Sequence, residues 1–98
     1  MEEQLKKIIN HYGISKQLKY IHSEYFELDE AIMKFNDNNY NSADFAIEHI
    51  AEELADVMVM LKQFQYYYYI TDEQVENIMV QKIERQLKRI EEENEKKQ

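Results

Sequence analysis

Cysteine, proline and tryptophan are absent from the sequence, and glycine occurs only once, at Gly13. Without cysteine, the chain cannot form disulfides or bind zinc through thiolates. Proline and glycine mark the ends of short strands and hairpins, whereas Leu, Ile, Met, Glu, Lys and Gln, which abound here, favour helices. We therefore predict an all-α protein.

Long apolar runs are also missing from the chain. No uninterrupted stretch approaches the roughly 20 residues of a membrane-spanning helix, and the longest candidate is broken by Lys62, Gln63 and Gln65. The first residues lack the basic and apolar regions of a secretion signal. These features predict a cytoplasmic protein that does not associate with membranes.

Positive charge is scarce as well, since 12 basic residues face 20 acidic ones and leave a formal net charge of −8. This charge repels nucleic acid polymers and free phosphate esters at long range. An anionic ligand would therefore need a bridging metal ion. Net acidity alone is also typical of small proteins that only need to stay in solution.

A chain of 98 residues forms one domain at most, and a monomer of this size covers its apolar surface poorly. We expect a homodimer or a homotetramer that completes the core. We predict a single helical domain over residues 1–98, with a charged tail that frays from about residue 91 to residue 98.

Apolar residues recur at spacings of three and four, which predicts four amphipathic helices in an antiparallel bundle. Gly13, Ser15, Ser42 and the capping box from Thr71 to Gln74 supply the expected ends and starts. The predicted helices are Glu2 to about Tyr12, Lys16 to Phe35, the residues after Ser42 as far as Tyr69, and the residues after Thr71 to about residue 90.

Each predicted helix presents an apolar stripe that we expect to face the core. On the second helix the stripe is Leu18, Ile21, Tyr25, Leu28, Ile32 and Phe35. On the third it is Ile47, Ile50, Leu54, Val57, Leu61 and Phe64, and on the fourth it is Val75, Met79, Ile83, Leu87 and Ile90.

Two pairs of acidic residues lie beside these stripes: Glu24 with Glu27, and Glu53 with Asp56. Residues three apart share one helix face, and both pairs have matching offsets from their stripe at about 100° of rotation per residue. Packing the two stripes in antiparallel fashion turns all four carboxylates toward one flank. Such a cluster repels itself unless a divalent cation binds, and oxygen ligands favour Mg²⁺ or Mn²⁺.

These acids have two other interpretations. In a chain with 33% charged residues, a Glu-x-x-Glu spacing also arises by chance on solvated faces, but a second pair at matched offsets favours a metal site. A di-iron bundle needs Glu-x-x-His on two helices. Here, however, the residues three positions before His11, His22 and His49 are Ile8, Lys19 and Ala46.

These acids, in this order, resemble the MazG-like all-α nucleoside triphosphate pyrophosphohydrolases, whose pattern is Glu-Glu-x-x-Glu followed by Glu-x-x-Asp. The stretch from Gln17 through Glu24-Tyr-Phe-Glu27 to Ile32 is similar to the first half. Glu52-Glu53-Leu-Ala-Asp56-Val is similar to the second half, and the resemblance covers about residues 13–90. Ser23 stands where the family pattern has its first glutamate, which affects the surroundings of the metal ligands more than the ligands themselves.

The resemblance implies a Mg²⁺-dependent enzyme that hydrolyses a nucleoside triphosphate between the α and β phosphates, releasing a nucleoside monophosphate and pyrophosphate. Bound Mg²⁺ would neutralise the triphosphate and activate a water, and Glu24 or Glu27 would accept the proton of that water. The implied metal ligands and catalytic residues are Glu24, Glu27, Glu53 and Asp56.

Substrate-binding residues are expected on two helices. Lys82, Arg85 and Arg89 follow one flank of the fourth helix, where cations can hold the departing pyrophosphate. All three are also typical of a solvated face, which is the favoured interpretation for Arg89. Gln17, within the matched stretch, is the other predicted substrate-binding residue. Tyr12, Tyr40 and Phe45 are weaker candidates for contact with a base, because aromatic residues are more typical of a core or a subunit interface.

Two alternatives remain open at this point. One is a relative with narrower specificity, such as a dUTP or phosphoribosyl-ATP pyrophosphohydrolase. The other is a non-catalytic helical interaction module that keeps the same scaffold. We assign no catalytic part to His22 or His49.

Overall fold

The computed structural model describes residues 1–97, and this part of the chain contains four α-helices and no strand. The predicted all-α class is therefore confirmed. None of the helices within residues 1–97 combines the length and the apolar character that crossing a bilayer requires. In chain order, the helices are α1 (Glu2–Tyr12), α2 (Ile14–Asn36), α3 (Ala43–Tyr67) and α4 (Asp72–Lys97).

Gly13 alone separates α1 from α2. Its φ of 88° lies in the left-handed region, which a residue without a Cβ adopts most readily, and its N–H donates to the Ile9 carbonyl at 2.8 Å. Because Gly13 is itself the N-cap, α2 begins at Ile14 and no side chain caps it. The prediction that Ser15 caps this helix was wrong, since Ser15 lies within the first turn.

The two other predicted helix starts are confirmed. The Ser42 hydroxyl accepts a hydrogen bond from the Phe45 N–H at 3.4 Å and caps α3. Ahead of α4, the Thr71 hydroxyl accepts from the Gln74 N–H at 3.1 Å, and the Gln74 side chain accepts from the Thr71 N–H at 2.8 Å. This reciprocal pair is the capping box that the sequence predicts.

The chain divides into two units, Met1–Tyr68 and the residues from Tyr69 onward. In the first unit α2 packs along α3, and α1 contacts both helices. The second unit is essentially α4, which continues as a helix through the predicted tail to Lys97 and has no buried residue. The expected single domain over residues 1–98 stays a prediction.

Helices α2 and α3 run in opposite directions. Gln17, near the start of α2, hydrogen-bonds to Gln63, near the end of α3. Glu27, further along α2, lies beside Glu53, which comes earlier in α3. The partners therefore descend along α3 as they ascend along α2, which is the register of an antiparallel pair.

The buried face of α2 is shifted by one residue from the predicted stripe. Gln17, Glu24 and Ala31 are its buried residues, whereas the next residue after each is exposed. On α3, Val57 of the predicted stripe is buried, but three other members are exposed. The predicted inward residues that are exposed in these two helices are Leu18, Tyr25, Ile32, Ile47, Leu54 and Leu61.

This shift has a simple geometric cause. Residues spaced seven apart form a row along a helix, and the next row begins one residue later, about 100° further round. Two such rows can therefore both belong to one amphipathic surface. The periodicity identifies that surface, but the row that meets α3 depends on the tertiary packing. Prediction of Leu18, Tyr25 and Ile32 as inward residues was therefore wrong for the single chain.

We expect Ser42→Ala to lower the free energy of unfolding by about 0.5–2 kcal/mol, because the N-terminal N–H groups of α3 lose their cap. Ser15→Ala is the matched control, since Ser15 caps nothing and alanine favours a helix slightly more than serine. Urea unfolding followed by circular dichroism measures both. Equal losses in the two variants would contradict the assignment of the caps.

Candidate metal centre

Three glutamates converge where α2 packs against the middle of α3. Glu24 and Glu27 lie one turn apart on α2, and Glu53 faces them from α3. One carboxylate oxygen from each residue lies within 4.8 Å of the other two. The three-residue spacing and the antiparallel register together place these like charges in one cluster.

Burial makes this cluster costly without a counter-ion. Glu24 is only 7% exposed, and the side chain of Glu53 is 13% exposed. Within residues 1–97, Oε2 of Glu24 and Oε2 of Glu53 are buried and accept no hydrogen bond. A buried carboxylate oxygen without a donor has lost its hydration and gained nothing in return. Both oxygens are therefore suited to a hard divalent cation, which prefers oxygen ligands.

The surroundings favour the neutral form of Glu53. Partial burial raises its pKa, and the negative charge of Glu27, a hydrogen bond with Glu27 and the charge of Asp56 raise it further. His49 acts in the opposite direction, with its Nε2 at 4.0 Å from the Glu53 Oε1. In the metal-free protein, Glu53 therefore holds a proton to a higher pH than an ordinary glutamate does.

Tyr20 belongs to the same electrostatic group. A hydrogen bond with Glu24 raises the pKa of its phenol, and the charge of Glu24 raises it further. The phenol therefore stays neutral and donates to the carboxylate. Tyr20 was not among the predicted site residues, and His49 was predicted to have no catalytic part. The usable signal was spacing, because each lies four residues before an acid of the cluster on the same helix face.

Asp56 lies outside the group of three. It is exposed, and together with Glu24 it lines a groove between α1, α2 and α3. Its charge raises the pKa of both Glu53 and Tyr20, so it contributes to the local field. Its role as a fourth metal ligand remains a prediction.

The remaining predicted residues occupy different places. Gln17 lines the same groove and donates a hydrogen bond to Gln63 at 2.9 Å. Lys82 and Arg85 are exposed on α4, in the second unit. Ser23, where the family pattern has a glutamate, is exposed on α2.

Comparison of the chain with protein-family models, with curated proteins and with solved structures found no match. The resemblance to the MazG-like enzymes accordingly stays a prediction from the quoted motifs. What the fold and the site define is a helical protein with a partly buried carboxylate cluster suited to a cation.

The raised pKa of Glu53 predicts how the stability of the metal-free protein depends on pH. Protonation of Glu53 stabilises the fold fully below its ordinary pKa of 4.5, and this contribution is lost as the pH rises through the raised folded value. Glu53→Gln keeps a neutral group at every pH. We therefore expect it to unfold at a higher temperature than the wild type at neutral pH, and the difference to shrink in acid.

Thermal unfolding in EDTA across the acid and neutral range measures this difference. Glu52→Gln removes the same charge from an exposed neighbour on α3 and should shift the midpoint less. A lower midpoint for Glu53→Gln at neutral pH would show that the carboxylate stabilises the metal-free fold.

Proposed function

We propose that this protein is a Mg²⁺-dependent nucleoside triphosphate pyrophosphohydrolase. The observation that carries the proposal is the pair of buried, unpartnered oxygens of Glu24 and Glu53, which lie beside Glu27. We propose this type of reaction because the order and spacing of the acids resemble the MazG-like pattern. The products would be a nucleoside monophosphate and pyrophosphate.

The three glutamates have different environments, which suggests a division of roles. Glu24 and Glu53 offer their buried oxygens as ligands, and rigid helices hold both side chains. Bound Mg²⁺ would neutralise the triphosphate and lower the pKa of a water that attacks phosphorus. Glu27 is the exposed member of the cluster, so it is the residue best placed to pass a proton to solvent.

Three further residues have supporting roles in the proposal. Asp56, at the edge of the cluster, would complete the set of carboxylates that face the cations. Lys82 and Arg85 of the second unit stay predicted phosphate-binding residues, because a cationic donor binds a phosphate oxygen more strongly than a neutral one does. Mn²⁺ would serve in place of Mg²⁺, since both ions prefer oxygen ligands.

A homodimer or homotetramer also belongs to the proposal. On α2, Leu18, Tyr25 and Ile32 recur every seven residues, and each is exposed. Exposed apolar rows of this kind are typical of surfaces that another chain covers. A matching row on α3 consists of Ile47, Leu54 and Leu61. Burial of both rows against a second copy would give this small domain the core that one chain lacks.

Two alternatives predict different results. A dUTP or phosphoribosyl-ATP pyrophosphohydrolase would use the same carboxylates with a narrower set of substrates. A non-catalytic interaction module would keep the helices and release no pyrophosphate. The buried unpartnered oxygens favour the enzymes, because an interaction module gains nothing from a carboxylate cluster that destabilises its own fold.

Pyrophosphate release from a panel of ribonucleoside and deoxyribonucleoside triphosphates with Mg²⁺ tests the activity. We expect Glu53→Gln to lower turnover by at least about 100-fold, which is the upper end of what even an outer partner of a metal site costs. Glu52→Gln, the matched control, should retain activity. Absence of pyrophosphate from every substrate tested, including dUTP and phosphoribosyl-ATP, would contradict the proposal.

Metal binding has a separate expected effect on stability. Because Mg²⁺ would bind the folded chain and not the unfolded one, it should raise the free energy of unfolding by about 2.7 kcal/mol at 100 times its dissociation constant. Differential scanning fluorimetry with increasing MgCl₂ measures the shift, with NaCl of matched ionic strength as a control for screening. We expect the shift to be reduced in Glu53→Gln, and equal shifts with the two salts would exclude a specific site.

A further inference from the structure

A groove of about 490 Å³ runs beside the carboxylate cluster between α1, α2 and α3. This volume falls within the range of about 300–1,000 Å³ that small-molecule sites occupy. Glu24 and Asp56 lie at its acidic part, and Ile8, Tyr12, Val59 and Met60 supply apolar and aromatic walls. The groove therefore continues from the acidic candidate metal centre to a surface that is largely apolar and aromatic.

Two buried amides form a hydrogen-bonded pair in the wall of this groove. Gln17 is 6% exposed and Gln63 is 2% exposed, and the Gln17 Nε2 donates to the Gln63 Oε1 at 2.9 Å. Two apolar side chains of the same shape would fill this space without the desolvation that buried amides suffer. A polar pair at this position needs a further explanation.

Met60 sets the direction of this pair. The Gln63 Nε2 donates to the Met60 sulfur at 3.7 Å, and a thioether can only accept. The Gln63 oxygen therefore faces Gln17, and Gln17 must give a donor to it. The carbonyl oxygen of Gln17 is consequently left for a partner that brings its own N–H.

The position of Gln17 suits the distal part of a nucleotide. It lies seven residues before Glu24 on the same buried row of α2, which is about 10 Å along the helix axis. A ligand whose phosphates are held at the carboxylates would extend its sugar and base in this direction. Tyr12 and Tyr20 line the same groove, and aromatic rings of this kind stack on bases.

The charges in the groove favour a neutral group over more phosphate. Among the lining residues within 1–97, Lys16 is the one cation, and two lining residues are acidic. The Lys16 Nζ lies 4.9 Å from the centre of the Tyr12 ring. A polyanion would find a single positive charge here, whereas a base would find aromatic, apolar and amide groups.

We infer that this groove binds the nucleobase of the substrate, with Gln17 as the hydrogen-bond acceptor for a base N–H and Gln63 as the residue that positions Gln17. The inference rests on the proposed function for the fate of the phosphates. It also defines the substrate class, because a polyphosphate without a base would leave the groove empty. Gln63 is a positioning residue, since it acts through Gln17.

Binding can be tested without any hydrolysis. In EDTA, the side-chain amide signals of Gln17 and Gln63 are followed by ¹H–¹⁵N NMR during titration with uridine, cytidine, adenosine and guanosine, and with tripolyphosphate. The variants Gln17→Met and Gln63→Met assign the two signals. We expect at least one nucleoside to shift both signals in a saturable manner, and tripolyphosphate to leave them unchanged. Failure of all four nucleosides at millimolar concentration, or equal shifts with tripolyphosphate, would overturn the inference.

The two variants then test the role of the pair in the reaction. Gln17→Met and Gln63→Met should each raise KM for the best nucleoside triphosphate by about tenfold, the effect of losing one good hydrogen bond, and leave kcat nearly unchanged. Gln65→Met, on the same helix outside the groove lining, is the matched control, and circular dichroism checks each fold. An unchanged KM in a folded Gln17→Met variant would overturn the inference.

The two proposals fail in different ways. Nucleosides that shift the Gln17 and Gln63 signals in a chain that releases no pyrophosphate would uphold the base groove and contradict the hydrolase. Pyrophosphate release with no response of these signals to any nucleoside, and with KM unchanged in both variants, would do the reverse.

Discussion

The antiparallel contact between α2 and α3 is the constraint on which the rest of the structure depends. Its register places Gln17 opposite Gln63 and brings Glu24 and Glu27 beside Glu53. Gln17 donates to Gln63, because an amide carries both donors and an acceptor. The carboxylates, when ionised, have acceptors only and repel one another. One packing interface therefore produces a hydrogen-bonded polar pair and, about 10 Å away along α2, a cluster that lacks its counter-charge.

This interface is unusual because much of its buried surface is polar. Leu5 and Ile9 of α1 and Val57, Met60 and Tyr66 of α3 form most of the apolar core. Burying Glu24 in such a small core lowers the stability of the metal-free chain, since the Oε2 atom of Glu24 is left without a donor. The cost is localised at the cluster, where a cation would turn mutual repulsion into shared attraction.

Apolar residues of α2 and α3 also remain exposed outside this interface. Residues such as Leu18 and Leu61 have the spacing of core positions yet are exposed in the single chain. Periodicity does not distinguish a surface that packs within the chain from one that would pack against a second copy. The incorrect inward assignment of this row and the proposed homo-oligomer thus follow from the same sequence pattern.

Local features were predictable from the sequence, and features that depend on distant contacts were not. The helices and the caps at Ser42 and Thr71 follow from interactions within about four residues, and glutamate spacing already indicated oxygen ligands. Ser15 was misassigned because Gly13 alone can form the turn. Only the tertiary structure decided which row of α2 faces α3, that Glu24 is buried while Glu27 is exposed, and that Gln17 meets Gln63. The physical reason is that packing between residues far apart in the chain sets burial and register. Local periodicity contains no information about those distant contacts.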